Sequence, residues 1–390
     1  MQEPAERSGE PTGRAQRPVD RVQGPVVAGI DAIAVVGLCA HERRRYAMDL
    51  AKARGYVFVP AEQTEQGIDA IDRLVGLLGM TADIRGFVLE YAGDTACPEV
   101  IGAMSAADSP AVLSDLVCVV DLTCLSGDLE EEDRCVRLVG QVEFASTLAL
   151  LGPIGPEDPA HESGDAPAHE FAEAVDLIAH LAPEAHRFVL DPGAVHEPVC
   201  WDFTHRPPSA GWTALLNSEF PTPAYPGGAW TDDNQPGGAR PGADDSVADL
   251  PGTAGSARAS GFRYEQARPF HPQRLQAVLT AALGDGCWGR IVRSAGFARL
   301  ASRPYVTAHW DQTATRLMLA PLTAGPYLGE GAELLALGQE LAFIGVDLDE
   351  AGLREALERA VLTDAELLAG PMAWLEYPDD FPAWDTAHRG

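Results

Sequence analysis

A chain of 390 residues, 46% of them hydrophobic, is long enough to bury two cores, and its length predicts two domains. A formal charge of −30 excludes nonspecific binding to DNA or anionic membranes, since both demand a basic surface; only a local basic patch would permit such a contact. The seven cysteines (39, 97, 118, 124, 135, 200 and 287) include no C-x-x-C pair, and several sit in apolar strands as reduced core cysteines do.

Residues 1–24 are polar, lack any period and predict a disordered tail with no apolar signal core. No apolar run reaches 18 residues, so the expected location is the cytoplasm. From 25 to 200, strand-like and helix-like segments alternate. Strands are expected at 26–36, 56–59, 86–89, 116–120 and 187–190, with a further apolar run at 144–151. Helices are expected at 42–54, 68–78 and 171–181. Such alternation predicts an α/β domain with a doubly wound parallel sheet and ligands at the carboxyl ends of its strands.

The stretch DAIAVVGLCAHERRR (31–45) passes from a buried strand through Gly37 into a helix. A phosphate is placed at this kind of turn, because the first helical N–H groups are unpaired and the helix dipole favours an anion. On the frame G-x-x-x-x-G-K-[S/T], Gly37 is present, but Glu42 stands at the second glycine, Arg43 at the lysine and Arg44 at the hydroxyl. The only lysine of the chain, Lys52, lies well inside the helix. The expectation is a turn kept and a chemistry lost, against the plainer reading of any buried strand followed by glycine and helix. Glu90 opens E-Y-A-G, with Gly93 three residues on. An acid and a glycine there would organise Mg²⁺ and sense a γ-phosphate, or form an ordinary strand end and turn. After the strand at 144–151 the chain reads Leu-Gly-Pro-Ile, so no N-K-x-D reads guanine.

Residues 201–260, rich in Pro, Gly, Ala, Asp and Ser from 206 onward, predict an irregular linker. Beside it, His196, Cys200 and His205 offer three zinc-type ligands at a spacing unlike any standard site, or three ordinary loop residues. His161 and His169 fall in another Pro/Gly-rich loop. Order resumes at 261. Phe262 and Tyr264 alternate as a strand, and a helix is expected at 273–283. A strand at 288–292 continues past a break at Gly296 into 297–300, with further strands at 315–319 and 341–346. Capping-box spacings at 347–350 and 363–366 open short helices. The expectation is an α+β domain over 261–384, antiparallel with helices on one face, and a tail at 385–390. No G-x-S-x-G, H-E-x-x-H or C-x-x-C motif points to other chemistry.

GLCAHERRR, EYAGDTACP and QVEFAS, in that order, resemble the signature elements of the CobW-type P-loop GTPases, a family associated with metal-ion delivery and homeostasis. ARPFHPQRL (267–275), IVRSAGFARLASRP (291–304), HWDQ (309–312), the segment 339–357 and LTDAELLAGPMAWLEYPDDFPAW (362–384) closely resemble the CobW C-terminal domain. The resemblance implies a P-loop-NTPase-like sheet followed by that domain. The family's metal-binding Cys-x-Cys-Cys has no counterpart, since no cysteine occurs from 40 to 96 and its region reads PAEQTEQG. Ala295 replaces the usual lysine, and LLALG stands where relatives carry a basic segment. Arg268, Phe270, His271, Arg293, Gly296, Arg303 and Trp310 carry the C-terminal motifs, as packing and turn residues or, for His271, as a ligand.

What the resemblance implies is a protein that has lost its GTPase motifs and acts by binding or regulation in zinc homeostasis, with no cofactor. The partner would be a protein, such as a ribosomal or hibernation protein, because some diverged relatives act on ribosomes when zinc is scarce. The alternative is a GTP-hydrolysing zinc metallochaperone with an atypical loop, using GTP, Mg²⁺ and zinc. A purely structural module is the third reading.

Overall fold

The computed structural model describes residues 30–64, 84–106, 109, 111–152, 166–190, 203, 208–217, 258–304, 306–322 and 338–384. Its first unit is a six-stranded, wholly parallel sheet, built from β1 (Ile30–Val36), β2 (Val57–Val59), β3 (Gly86–Glu90), β4 (Ala111–Asp121), β5 (Thr147–Leu151) and β6 (His186–Val189). The strands lie in the order β2-β3-β1-β4-β5-β6. Val35 pairs with Glu90, Val36 with Cys118 and Asp121 with Leu151, so Gly37, Glu90 and Asp121 emerge along one carboxyl edge.

Side chains alternate between the sheet's faces, as a pleated backbone requires. Ile33, Val35, Val88 and Val117 pack against Tyr46, Ala47 and Leu50 of helix α1 (Ala40–Arg54). Ala34, Leu89, Cys118 and Leu150 face the other way. There they meet the helices α3 (Cys97–Met104), α5 (Glu132–Val142) and α6 (Ala166–Leu181). Two short helices, α2 (Ala61–Thr64) and α4 (Leu125–Glu130), follow β2 and β4. Helix α1 stops where Gly55 turns left-handed. The helix expected at 68–78 lies outside the described residues. His169, expected in a loop, falls within α6.

The second unit is a five-stranded antiparallel sheet of β7 (Ala259–Gln266), β8 (Arg290–Ala298), β9 (Ala308–Thr313), β10 (Arg316–Pro321) and β11 (Gln339–Val346). Its order is β10-β9-β8-β11-β7. Phe262, Tyr264, Leu341 and Phe343 face helices α8 (Pro272–Leu279) and α9 (Glu350–Ala360). The opposite face is also covered: Ala259, Val292 and Ile344 join the core of the first unit, where Trp212 and Leu215 of helix α7 (Gly211–Asn217) pack. Helices on one face only was therefore too simple a picture. Through these residues the two sheets share one core cluster.

The structure departs from the sequence pattern elsewhere too. The linker at 201–260 contains α7, and β7 already begins at Ala259. β8 runs unbroken through Gly296, which is strand rather than break. The backbone there has φ +143°, and a Cβ would overlap the Glu340 carbonyl oxygen of β11, so close strand approach is what demands glycine. The capping box at 363–366 is present and opens α10 (Asp364–Ala369), followed by α11 (Pro371–Trp374). The one at 347–350 is not: Asp349 caps α9 by accepting from Gly352 N, and Asp347 takes a positive φ.

Candidate functional site

β1 hands over to α1 in three residues, 37–39. Gly37 has φ +142°, and a Cβ on it would overlap the Val119 carbonyl oxygen of β4. Arg43 N already donates to Cys39 O at 2.9 Å, so helical bonding begins at once. The frame laid on the sequence needs six residues of loop between strand and lysine. Here α1 starts at Ala40, so three of those six residues, 40–42, are already helical, and few free N–H groups wrap the mouth.

The arginines are occupied. Arg43, 5% exposed, sets Nε 3.2 Å from Glu90 Oε1 and donates Nη1 to Gly37 O at 2.6 Å. Arg44 donates Nε to Glu90 Oε2 at 3.0 Å and Nη2 to both oxygens of Glu62 at 2.6 Å. Glu90, 1% exposed, also accepts from Ala61 N at 3.3 Å, and its backbone carbonyl accepts from Thr64 Oγ1 at 2.7 Å. The hydrogen bond from Arg44 holds the exposed Glu62 carboxyl below its ordinary range. A Cβ on Gly93 would lie 3.5 Å from Gly37 O and 3.6 Å from Arg43 Nη1, ordinary contact distances. Gly37, Arg43, Arg44, Glu90 and Gly93 thus converge on one point, and they satisfy one another.

Glu42 points elsewhere, into a cleft of about 220 Å³ between the β1–α1 turn and the end of β4, shared with Cys39, Asp121, Cys124, Asp128 and Arg134. Asp121 accepts from Thr123 N and Oγ1, and Arg134 is tied to Asp128 at 2.7 Å. Burial, with Glu42 adding to it, pushes the Cys39 thiol up to about 12, which removes it as a nucleophile at neutral pH. Three carboxylates against one committed guanidinium make this cleft repel anions. Among the described residues no three His, Cys, Asp or Glu converge as a metal site. His196, Cys200 and His205 lie outside the described residues.

A line of polar contacts leaves the strand ends through QVEFA. Gln141 Nε2 donates to Gly93 O at 3.0 Å. Two residues on, Glu143 meets Arg293 of β8, Nε to Oε1 2.8 Å, and both side chains are buried. Burial pushes the Glu143 carboxyl up; the charge of Arg293 and its hydrogen bond pull it back. Arg293 also bonds Asp311 and, at 3.0 Å, Gln312 O, and its guanidinium lies 5.9 Å from the Trp212 ring centroid. QVEFA and RSAGF are thus two halves of one clamp between the sheets. No signal in the sequence joined them, since 150 residues separate the two.

The remaining C-terminal motif residues pack. Phe270 is fully buried between Leu300 and Val361, and Trp310 donates Nε1 to Ser294 Oγ at 2.8 Å. Arg268 pairs with Asp364 at 2.6 Å, and Arg303 holds Asp379 at 2.8 Å while stacking 4.1 Å over Trp384. His271 stacks on Tyr377, with centroids 4.5 Å apart and Nδ1 unpartnered. Burial lowers its pKa, with Arg274 adding to the effect.

The family profile of the cobalamin synthesis protein cobW C-terminal domain matches residues 259–361. A zinc-regulated GTPase metalloprotein activator of Dictyostelium discoideum is 30% identical over 136 residues, covering 30% of this chain and 28% of that protein. A zinc chaperone of Mycobacterium tuberculosis is 28% identical over 171 residues, 37% of this chain and 40% of its own length. The match therefore spans well under two thirds of either relative. Among solved structures, a zinc-bound triple mutant of the YjiA GTPase aligns over 86% of this chain and 99% of its own at 12% identity and TM-score 0.34. Zinc-bound YjiA from E. coli aligns over the same shares at 12% identity and TM-score 0.31. No helix among the described residues is long and apolar enough to cross a membrane.

Proposed function

We infer that this chain, a CobW-type protein by its C-terminal domain, works by binding a protein partner in zinc homeostasis rather than by hydrolysing GTP. The observation that carries this reading is the closed set of bonds among Arg43, Arg44, Glu90 and Gly37 O. Phosphoryl transfer is positioning and charge stabilisation by loop N–H groups, a lysine and Mg²⁺. The groups present do not fit a magnesium triphosphate: Glu90, the acid at the strand end, already carries two guanidinium partners. Arg43 also fills the space above the turn, and the neighbouring cleft is acidic. The partner that fits the resemblance is a ribosomal or hibernation protein engaged when zinc is scarce.

Calorimetric titration with GTP and Mg²⁺ tests the reading, and no saturable heat at micromolar nucleotide is expected. Micromolar binding would favour a second reading, a zinc metallochaperone that hydrolyses GTP with an unusual loop. The names of the two relatives, and the bonds by which Gln141 and Glu143 tie the loop after β3 to Arg293, speak for it. The triple variant Glu42→Gly, Arg43→Lys, Arg44→Thr is expected to remain without GTPase activity, because helix α1 still starts at Ala40 and 151–154 reads no base. Co-sedimentation with ribosomes from zinc-starved and zinc-replete cells tests the partner: pelleting only with the former is expected.

A further inference from the structure

The last helices of the C-terminal domain expose apolar surface on a rigid frame. Leu367, Leu368, Met372 and Leu375 are 38%, 88%, 76% and 51% exposed within nine residues. Exposure of this kind in one short stretch is uncommon unless something covers it. The backbone beneath is fixed. Thr363 and Glu366 close a capping box on α10, and Arg274 holds both oxygens of Glu366 at 2.9 and 2.7 Å. Trp374, buried beside Ala301 and Leu362, donates Nε1 to Glu366 O at 2.6 Å. A surface held this way loses little conformational entropy when covered.

The charge around it selects the occupant. Residues 362–384 contain five acids and no Lys, Arg or His. Nearby arginines are spent: Arg274 on Glu366, Arg268 on Asp364, Arg303 on Asp379. The rim is therefore negative, with Glu376 and Asp380 exposed. A second copy would set Glu376 and Asp380 against their own counterparts, and an anionic lipid surface would be repelled in the same way.

We propose that Leu367, Leu368, Met372 and Leu375 form a docking surface for an amphipathic, cationic segment of a partner protein, its apolar row on these side chains and its Lys or Arg flanks on the acidic rim. This surface stands independently of the strand-end site. If nucleotide bound there, the docking surface would be unaffected.

A 16-residue helical peptide, with Leu at i, i+3, i+4 and i+7 and Lys elsewhere, is the probe. It is titrated into the full chain carrying labelled Leu and Met methyl groups. Shifts centred on the methyls of Leu367, Leu368, Met372 and Leu375 are expected. So is at least a tenfold loss of affinity in Leu368→Asp/Met372→Asp, whose side chains are exposed and leave the fold intact. Glu376→Lys/Asp380→Lys is expected to weaken binding about threefold or more, and raising salt should do the same. Shifts centred elsewhere, or unchanged affinity in the aspartate variant, overturn the surface. Indifference to charge reversal overturns the cationic partner, and a dimer dissolved by Leu368→Asp assigns the surface to a second copy instead.

Discussion

Arg43 meets Glu90 at the carboxyl edge of the parallel sheet, and Arg293 meets Glu143 across the junction between the two sheets. Both centres bury an arginine against a carboxylate, and each lies close to a glycine whose Cβ would strike a neighbouring strand's carbonyl, Gly37 in one and Gly296 in the other. They differ in what shares the charge. Glu90 is divided between Arg43 and the half-exposed Arg44, which reaches out to Glu62. Glu143 has Arg293, and Arg293 also serves Asp311. One centre fills a space and can lose a member; the other joins two units and cannot.

The largest expected effect follows from that difference. Arg293→Met strands Glu143 as a buried, unpaired acid and should lower unfolding stability by about 3–5 kcal/mol in urea titration. Adding Glu143→Leu should restore most of it, because two apolar side chains replace two desolvated charges. If the single variant costs under about 1 kcal/mol, the junction does not rest on this pair. Arg43→Ala should cost less, about 2–3 kcal/mol, as Glu90 keeps Arg44 and the amide of Ala61. Arg44→Ala, half in solvent, should cost about 1 kcal/mol or less. Reversal of that order would place the structural weight at the strand ends.

The smallest effect is a matter of pH. Arg274 holds the Glu366 carboxyl down to about 2. Its folded value lies below its unfolded one, so its contribution is complete above pH about 4.5 and fades as pH falls toward 2. Glu143 runs the other way. Raised by burial, its share is present below its unfolded value and lost as pH rises through its folded one. Acid titration of stability in Glu366→Gln should be flatter by about 1 kcal/mol between pH 5 and 2; an unchanged curve would remove Glu366 from the anchoring of α10.

The strand ends were legible because buried parallel strands read as apolar runs, and Glu90 and Asp121 close them. The partners of the ends were not. Glu62 sits in PAEQTEQG, a segment notable in sequence only for its missing cysteines, and nothing local points it at Arg44. Helix α1 begins at Ala40 rather than at 42, a start hidden in the sequence because Cys39 before it makes no side-chain cap. β9 is hidden in the sequence for a different reason: its inward row is Ala308, Trp310 and Gln312, and a buried glutamine masks the alternation. Gln312 is tolerated there because Ser294 Oγ bonds its Oε1 at 2.6 Å. Long-range pairing, not local propensity, decides each of these.

Helix α5 is gripped by the second sheet at both ends: Thr315 and Arg316 take Glu132 at its start, and Arg293 takes Glu143 just past its finish. Gln141, in its final turn, holds the loop after β3. The helix therefore behaves as a connecting rod. Any load that tilts the C-terminal sheet travels along it and arrives at Gly93, beside the arginine bolt, with no hinge on the way to absorb it.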